Sequence, residues 1–232
     1  MFQYICLLLG DNAYATKYIR SKNPKHQDYW EVGVKKSDYT SPFSPIGYNH
    51  RKEGAIAKVD YEGIVWCPNT ENETFVARRN GKVYVTGNSG IGIAELRQAD
   101  ACVDVETEAL TKRGWKKYNE ILNGEDIWLL DPKTKKSRWG KVNWIYWNDK
   151  ENVDMYSAET KTISFLTTPD HSWMTIGARG NWKKEETQTL KFDQHVPIAI
   201  ESSEIPDDSP YSDDFVELAG WVITEGTYSM TK

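Results

Sequence analysis

The sequence predicts a mainly β fold, with a small α/β unit formed by the two chain ends. Three observations lead there. Short segments rich in β-branched and aromatic residues recur through the middle of the chain. They are separated by turn signals: Asn80-Gly81, Arg113-Gly114, Asn123-Gly124, Asp131-Pro132, Asn148-Asp149 and Arg179-Gly180, the rhythm of a mainly β domain. Ten Trp and thirteen Tyr, most in alternating contexts, supply side chains suited to a pleated surface. Helical spacing of apolar residues is confined to the two ends.

In chain order, residues 2–10 read as a short buried helix stopped by Gly10, with a buried strand as the alternative at this length. Residues 13–20 and 29–35 read as strands joined by a polar turn. Residues 41–54, with Pro42, Pro45, Gly47 and Gly54, read as a linker. Strands follow at 57–67, 74–78 and 82–86, the last two closed by Asn80-Gly81, where both positions favour positive φ. Residues 89–101 lack periodicity and form a connector. Beyond Cys102 come strands at 127–130, 141–147, 154–158 and 162–167. Residues 201–212 are acidic and contain proline, a second linker. Residues 213–226 open on an N-cap and keep helical spacing.

Composition narrows the function. A net charge of -5 gives no bulk attraction to nucleic acid or an anionic membrane. No apolar run approaches the roughly 20 residues that span a bilayer, and residues 2–9 lack the basic lead-in of a signal peptide. Cys6, Cys67 and Cys102 are odd in number and far apart, which predicts reduced thiols and a cytoplasmic location. Cys6 reads as core. His26, His50 and His195 read as structural, and residues 133–136 as a solvated hairpin turn. No spacing suggests a metal or cofactor site.

The connector carries chemistry at both ends, Asn88-Ser89 and Ala101-Cys102. Cleaving and remaking peptide bonds without a cofactor needs a nucleophile at each junction, an acid for the leaving amine and an irreversible last step. The Cys102 thiol is placed to attack the Ala101 carbonyl and form a thioester. The Ser89 hydroxyl can accept the acyl group. The Asn88 side-chain amide can attack its own main-chain carbonyl, closing a succinimide irreversibly. An acid is available in Thr168-Pro-Asp170-His171: the imidazole can donate to the leaving nitrogen, help worth about 10²–10⁴-fold, while Thr168 orients it or holds the scissile amide.

These segments resemble an intein, the self-splicing domain of the Hedgehog/intein (HINT) fold. Residues 102–114, a nucleophile followed by Glu106-Thr107 and Gly114, resemble the N-terminal motif. Thr168-Pro-Asp-His171 is similar to the TxxH motif. Residues 61–67 with 74–81, and residues 82–88, resemble the two C-terminal motifs. The resemblance implies a horseshoe-like β fold and protein splicing, with extein segments in cis, or a complementary split fragment, as partners. Because Asn88-Ser89 precedes Ala101-Cys102, it also implies a circular permutant that would excise residues 89–101 as a cyclic peptide. The family usually has His just before the terminal Asn, where this chain has Gly87, whose backbone freedom would ease the turn. Another position that is commonly His is Thr74. Trp173, Cys67 and Thr86 match the Trp-Cys-Thr set of "class 3" inteins, in which the Cys attacks first. Such inteins generally lack a nucleophile at their first residue, whereas Cys102 is present and is taken as the first nucleophile.

Residues 218–226 resemble the LAGLIDADG helix of homing endonucleases, with Glu225 at the metal-binding acid position, and residues 2–35 resemble the later part of such a domain. The expected organisation is therefore 1–43 and 207–232 as an endonuclease-like remnant, 44–88 and 102–206 as the two intein segments, and 89–101 as an extein-derived linker. The alternative is a LAGLIDADG-type DNA-binding or homing-endonuclease module on a splicing-inactive β scaffold, with Glu225 as its metal ligand.

Overall fold

The computed structural model describes residues 2–8, 10–18, 29–35, 39–42, 56–88, 101–177, 180–191, 194–204, 212, 214, 215 and 217. The architecture is mainly β. One helix, α1 (Phe2–Leu8), is followed by β1 (Asn12–Tyr18), β2 (Tyr29–Lys35) and the short β3 (Tyr39–Thr40). Then come β4 (Ile56–Thr70), β5 (Thr74–Arg79), β6 (Lys82–Gly87), β7 (Val103–Asp104), β8 (Glu108–Thr111) and β9 (Gly114–Lys116). The remaining strands are β10 (Asp126–Asp131), β11 (Lys136–Glu159), β12 (Ser164–Thr167), β13 (Ser172–Ile176), β14 (Trp182–Glu186) and β15 (Val196–Pro197).

A nine-stranded antiparallel sheet runs in the order β12-β7-β4-β11-β10-β8-β5-β6, with β9 beside β8. β12 also pairs with β11, so β7, lodged between β4 and β12, closes a loop of strands. Two-stranded ladders, β1–β2, β13–β14 and β3–β15, complete the described structure. The β5–β6 hairpin turns on Asn80 and Gly81 at φ 49° and 74°, as a two-residue turn of the primed type requires.

The Asn148-Asp149 turn and the break between strands 141–147 and 154–158 do not occur. β11 runs through both, pairing Asn148 with Val65 and Asp149 with Ile64. The long partner β4 holds the chain extended, and the local turn preference loses to a ladder of hydrogen bonds. The surplus residues are taken up beyond Lys150, where the register shifts and Asn152 adopts φ 52°, a bulge that bends the strand. β13 and β14, by contrast, flank the turn at Gly180 (φ 73°) in a region where the sequence pattern marks no strand.

The main core packs Trp66, Phe75, Tyr84, Ile127, Phe165 and Trp173. A second cluster joins Leu7 of α1 to Val76, Val83, Leu110 and Trp128. A third holds Cys67 and Cys102 together with Val65, Met155 and Leu166. At the far end, Asp214, Phe215 and Glu217 are helical, and the Phe215 N–H donates to Ser212 Oγ at 3.3 Å. The cap is thus Ser212. The rest of the expected LAGLIDADG-like helix, including Glu225, and the connector from Ser89 to residue 100 lie outside the described residues. No described helix is long and apolar enough to cross a membrane.

Candidate active site at the two junctions

β7 fixes one junction. Its two residues pair with β4 through Val65↔Asp104 and Trp66↔Val103, a ladder that ends next to Cys67 on one strand and next to Cys102 on the other. Both thiols are buried, at 0% and 2% exposure, in the same apolar cluster. Behind them Asp104 anchors the strand. Its buried carboxylate receives Arg79 Nε at 3.1 and 3.0 Å and the Thr107 hydroxyl at 2.6 Å, and its carbonyl accepts Trp66 Nε1 at 2.9 Å. A buried carboxylate held by a cation and a hydroxyl is a strong reason for β7 to stay in place.

On its other side β7 meets β12 at Thr167↔Val103. The next residue, Thr168, grips the junction: its Oγ1 accepts the Cys102 N–H at 2.8 Å, and its own N–H donates to the Cys102 carbonyl at 3.1 Å. The nitrogen held by Thr168 is that of the Ala101–Cys102 peptide.

A tight turn, closed by His171 N–H to the Thr168 carbonyl at 3.2 Å, brings in the imidazole. Asp170 sits half-buried in this turn. Thr187 braces it, its N–H and hydroxyl both donating to the His171 carbonyl at 2.9 and 3.2 Å. Trp173 Nε1 in turn donates to Thr187 Oγ1 at 2.8 Å, and the indole stands edge-on to the imidazole with centroids 5.4 Å apart. Trp173 therefore supports His171 through both a ring contact and Thr187.

His171 is fully buried. Burial pushes its pKa down to about 4, against a smaller upward pull from the Ala101 main chain. An upward pull means that the main-chain group favours a protonated ring, which identifies the Ala101 carbonyl as the group concerned. No described residue makes a hydrogen bond to Nδ1. Nε2 is 2.6 Å from Thr86 Oγ1. Which of the two atoms donates is set by the tautomer of the ring.

The second junction hangs from the end of β6, whose last residues point three ways. Thr86 reaches His171. Gly87 lies against β13: a Cβ there would sit 2.5 Å from the Ser172 carbonyl oxygen and 2.9 Å from its Cβ. The expected role of Gly87, freedom of backbone rotation, is not what its geometry uses, since its φ is not in the left-handed region. The requirement is space. Asn88 is fully buried; its N–H donates to the Glu73 carbonyl at 2.9 Å, and its Nδ2 donates to the Pro68 carbonyl at 2.6 Å and to Thr70 Oγ1 at 3.1 Å. Pro68 follows Cys67 directly in β4. Thr74, where the resemblance has a His, turns away instead, donating to the Leu130 carbonyl at 2.6 Å.

Thr86, His171 and Trp173 are thus joined by direct contacts, Thr168 holds Cys102, Cys102 and Cys67 share one apolar cluster, and Asn88 is bound to the carbonyl of Pro68, the residue after Cys67, while Ser89 and Glu225 fall outside the described residues. Thr187, Thr70 and the Pro68 carbonyl escaped sequence reasoning. The polar run 183–189 around Thr187 has no motif, and a main-chain acceptor leaves no residue signature. His195 is distant from the junctions in the network, pairing with Ile176 and packing on Tyr39. Among the described residues no three His, Cys, Asp or Glu side chains are grouped to hold a metal ion. Chemically, the cluster offers a thiol next to a peptide bond, a neutral imidazole near that bond's carbonyl and a hydroxyl on its nitrogen. No protein-family model matches the chain, and no curated protein matches it at a significant level.

Proposed function

We propose that the chain is an autocatalytic protein-splicing domain of intein type that removes residues 89–101. One observation carries this reading: Asn88 and Cys102, 14 residues apart, are both fixed in the sheet, Asn88 by Pro68 and Thr70 of β4 and Cys102 by Thr168 of the His171 turn, which Thr86 also reaches. The anchoring is through buried polar contacts. A substrate that is part of the same chain needs no open cleft, and burial protects a thioester from water.

The steps balance without a cofactor. The Cys102 sulfur bonds to the Ala101 carbonyl carbon as that carbon's bond to the Cys102 nitrogen breaks, and the thiol proton ends on the freed amine by way of His171. The Ser89 hydroxyl takes the acyl group from sulfur. Asn88 cyclises, freeing the Ser89 amine, and the acyl group moves from oxygen to nitrogen. The products are a ring of residues 89–101 and two chains, 1–88 and 102–232, held together by the shared sheet. In this reading the β fold is of the Hedgehog/intein type, and the terminal elements are a remnant of a LAGLIDADG domain. The Trp173–Thr187–His171 brace and the Thr86 contact keep the imidazole aimed at the junction.

Mass spectrometry of the incubated protein tests the proposal. The expected product is a 13-residue ring (residues 89–101 inclusive) one water lighter than the linear peptide, absent in Cys102→Ala and in Asn88→Ala. Intact chain alone sinks the proposal. A second reading of the first step is favoured by the burial of both thiols in one apolar cluster: the Cys67 thiol attacks the same carbonyl. Thiol-induced cleavage that survives Cys102→Ala but not Cys67→Ala would select it.

A further inference from the structure

Among the described residues no imidazole is hydrogen-bonded to Asn88, and its side chain is held by β4. Both protons on Nδ2 are spoken for: the Pro68 carbonyl accepts one at 2.6 Å and Thr70 Oγ1 the other at 3.1 Å. The Thr70 hydroxyl is committed as an acceptor here, because its own proton goes to the Thr74 carbonyl at 2.8 Å. The orientation of the amide follows, since exchanging Oδ1 and Nδ2 would set oxygen against the Pro68 carbonyl oxygen. Asn88 is 0% and Thr70 3% exposed, so water does not compete for these bonds.

We infer that Thr70, together with the Pro68 carbonyl, is the positioning residue for Asn88 cyclisation. The inference rests on the splicing reading. Attack on the Asn88 carbonyl uses electron density above the plane of the side-chain amide, whereas both N–H bonds lie in that plane. Acceptors in the plane leave the attacking face clear, fix the rotation of the amide and enrich its nitrogen. They also stabilise the positive charge that develops on Nδ2 as its bond to carbon forms. In the balanced step the Nδ2–C bond of Asn88 forms and the bond from that carbon to the Ser89 nitrogen breaks. One proton leaves Nδ2, one reaches the departing nitrogen, and no water or cofactor is consumed. Thr70 ends the step as it began.

The test follows this step in a Cys102→Ala background without added thiol, reading cyclisation as the cut between residues 88 and 89, into 1–88 and 89–232. A succinimide leaves the 1–88 fragment one water lighter than hydrolysis would. Thr70→Val is expected to slow its appearance by roughly 2- to 10-fold, the worth of one neutral hydrogen bond, and Thr70→Ser to restore it. Thiol-induced cleavage at Cys102, measured in an Asn88→Ala background, should proceed at the same rate with and without Thr70→Val, which reports intact folding around the first junction. Cyclisation by Thr70→Val at or above the parent rate overturns the inference, as does failure of Thr70→Ser to restore it. A Cys102→Ala parent that forms no succinimide overturns the splicing reading itself and the inference with it. Loss of cleavage at both junctions in Thr70→Val overturns the inference in favour of a structural role.

Discussion

At His171, burial decides the protonation state. The imidazole titrates near 6.5 in an unfolded chain and only at about 4 when folded. Between those values the unfolded state binds more protons, so stability falls as pH drops through that window and is fully retained above it. The full difference is about 3 kcal/mol. Urea midpoints at pH 7 and pH 4.5 should differ less in His171→Gln than in the parent; an equal loss in both would mean that His171 is not the group being titrated. For chemistry, the same burial supplies a neutral ring near pH 7, able to take a proton from a thiol and to pass one to an amine. Thr86 and Trp173 then act on where the ring points rather than on its charge.

At the scale of elements, the end of β6 against β13 makes Gly87 a matter of space. A Cβ would meet main-chain atoms of Ser172, and main chain inside a sheet cannot step aside cheaply. Gly87→Ala should therefore cost about 1–3 kcal/mol, as overpacking does, read as a lowered thermal midpoint. Gly87→His, which would restore the residue the resemblance leads one to expect, should destabilise as well and fail to speed release at Asn88. Faster succinimide formation in Gly87→His at unchanged stability would show that β13 can yield. That position 87 is Gly and not the His the resemblance leads one to expect was legible in the sequence, but the close approach of β13 was not, because it lies in a strand 85 residues away (Gly87 to Ser172). The same divide runs through the fold. The Asn80-Gly81 hairpin is written locally and forms as read. The continuity of β11 through Asn148-Asp149 is set by β4, far off in the chain, and local signals point the wrong way. In the site, Cys102, Asn88, Thr168 and His171 were visible because side chains carry their chemistry. The Pro68 carbonyl was not, since any residue supplies one.

Across the whole molecule, the N-terminal segment is joined to the sheet rather than leaning on it. Leu7 is buried with Val83 and Trp128. Gln3 Nε2 donates to the carbonyls of Ala13 and Gly81 at 2.9 and 2.8 Å. The fully buried Asn12 bridges two distant parts of the chain, Nδ2 donating to the Val83 carbonyl at 3.1 Å and to the Ile198 carbonyl at 2.7 Å. This clasp bears on the site because Val83 lies in β6, the strand that ends in Thr86, Gly87 and Asn88. Removing the amide leaves two buried carbonyls without that donor, a loss of about 1–3 kcal/mol. Asn12→Ala should accordingly lower the urea midpoint, and at temperatures where the variant stays folded the rate of release at Asn88 should change little. A terminal segment that only rests against the surface predicts an unchanged midpoint. If instead release slows while the midpoint holds, the clasp would be setting the position of β6 rather than its stability, and the terminal segment would belong to the catalytic assembly.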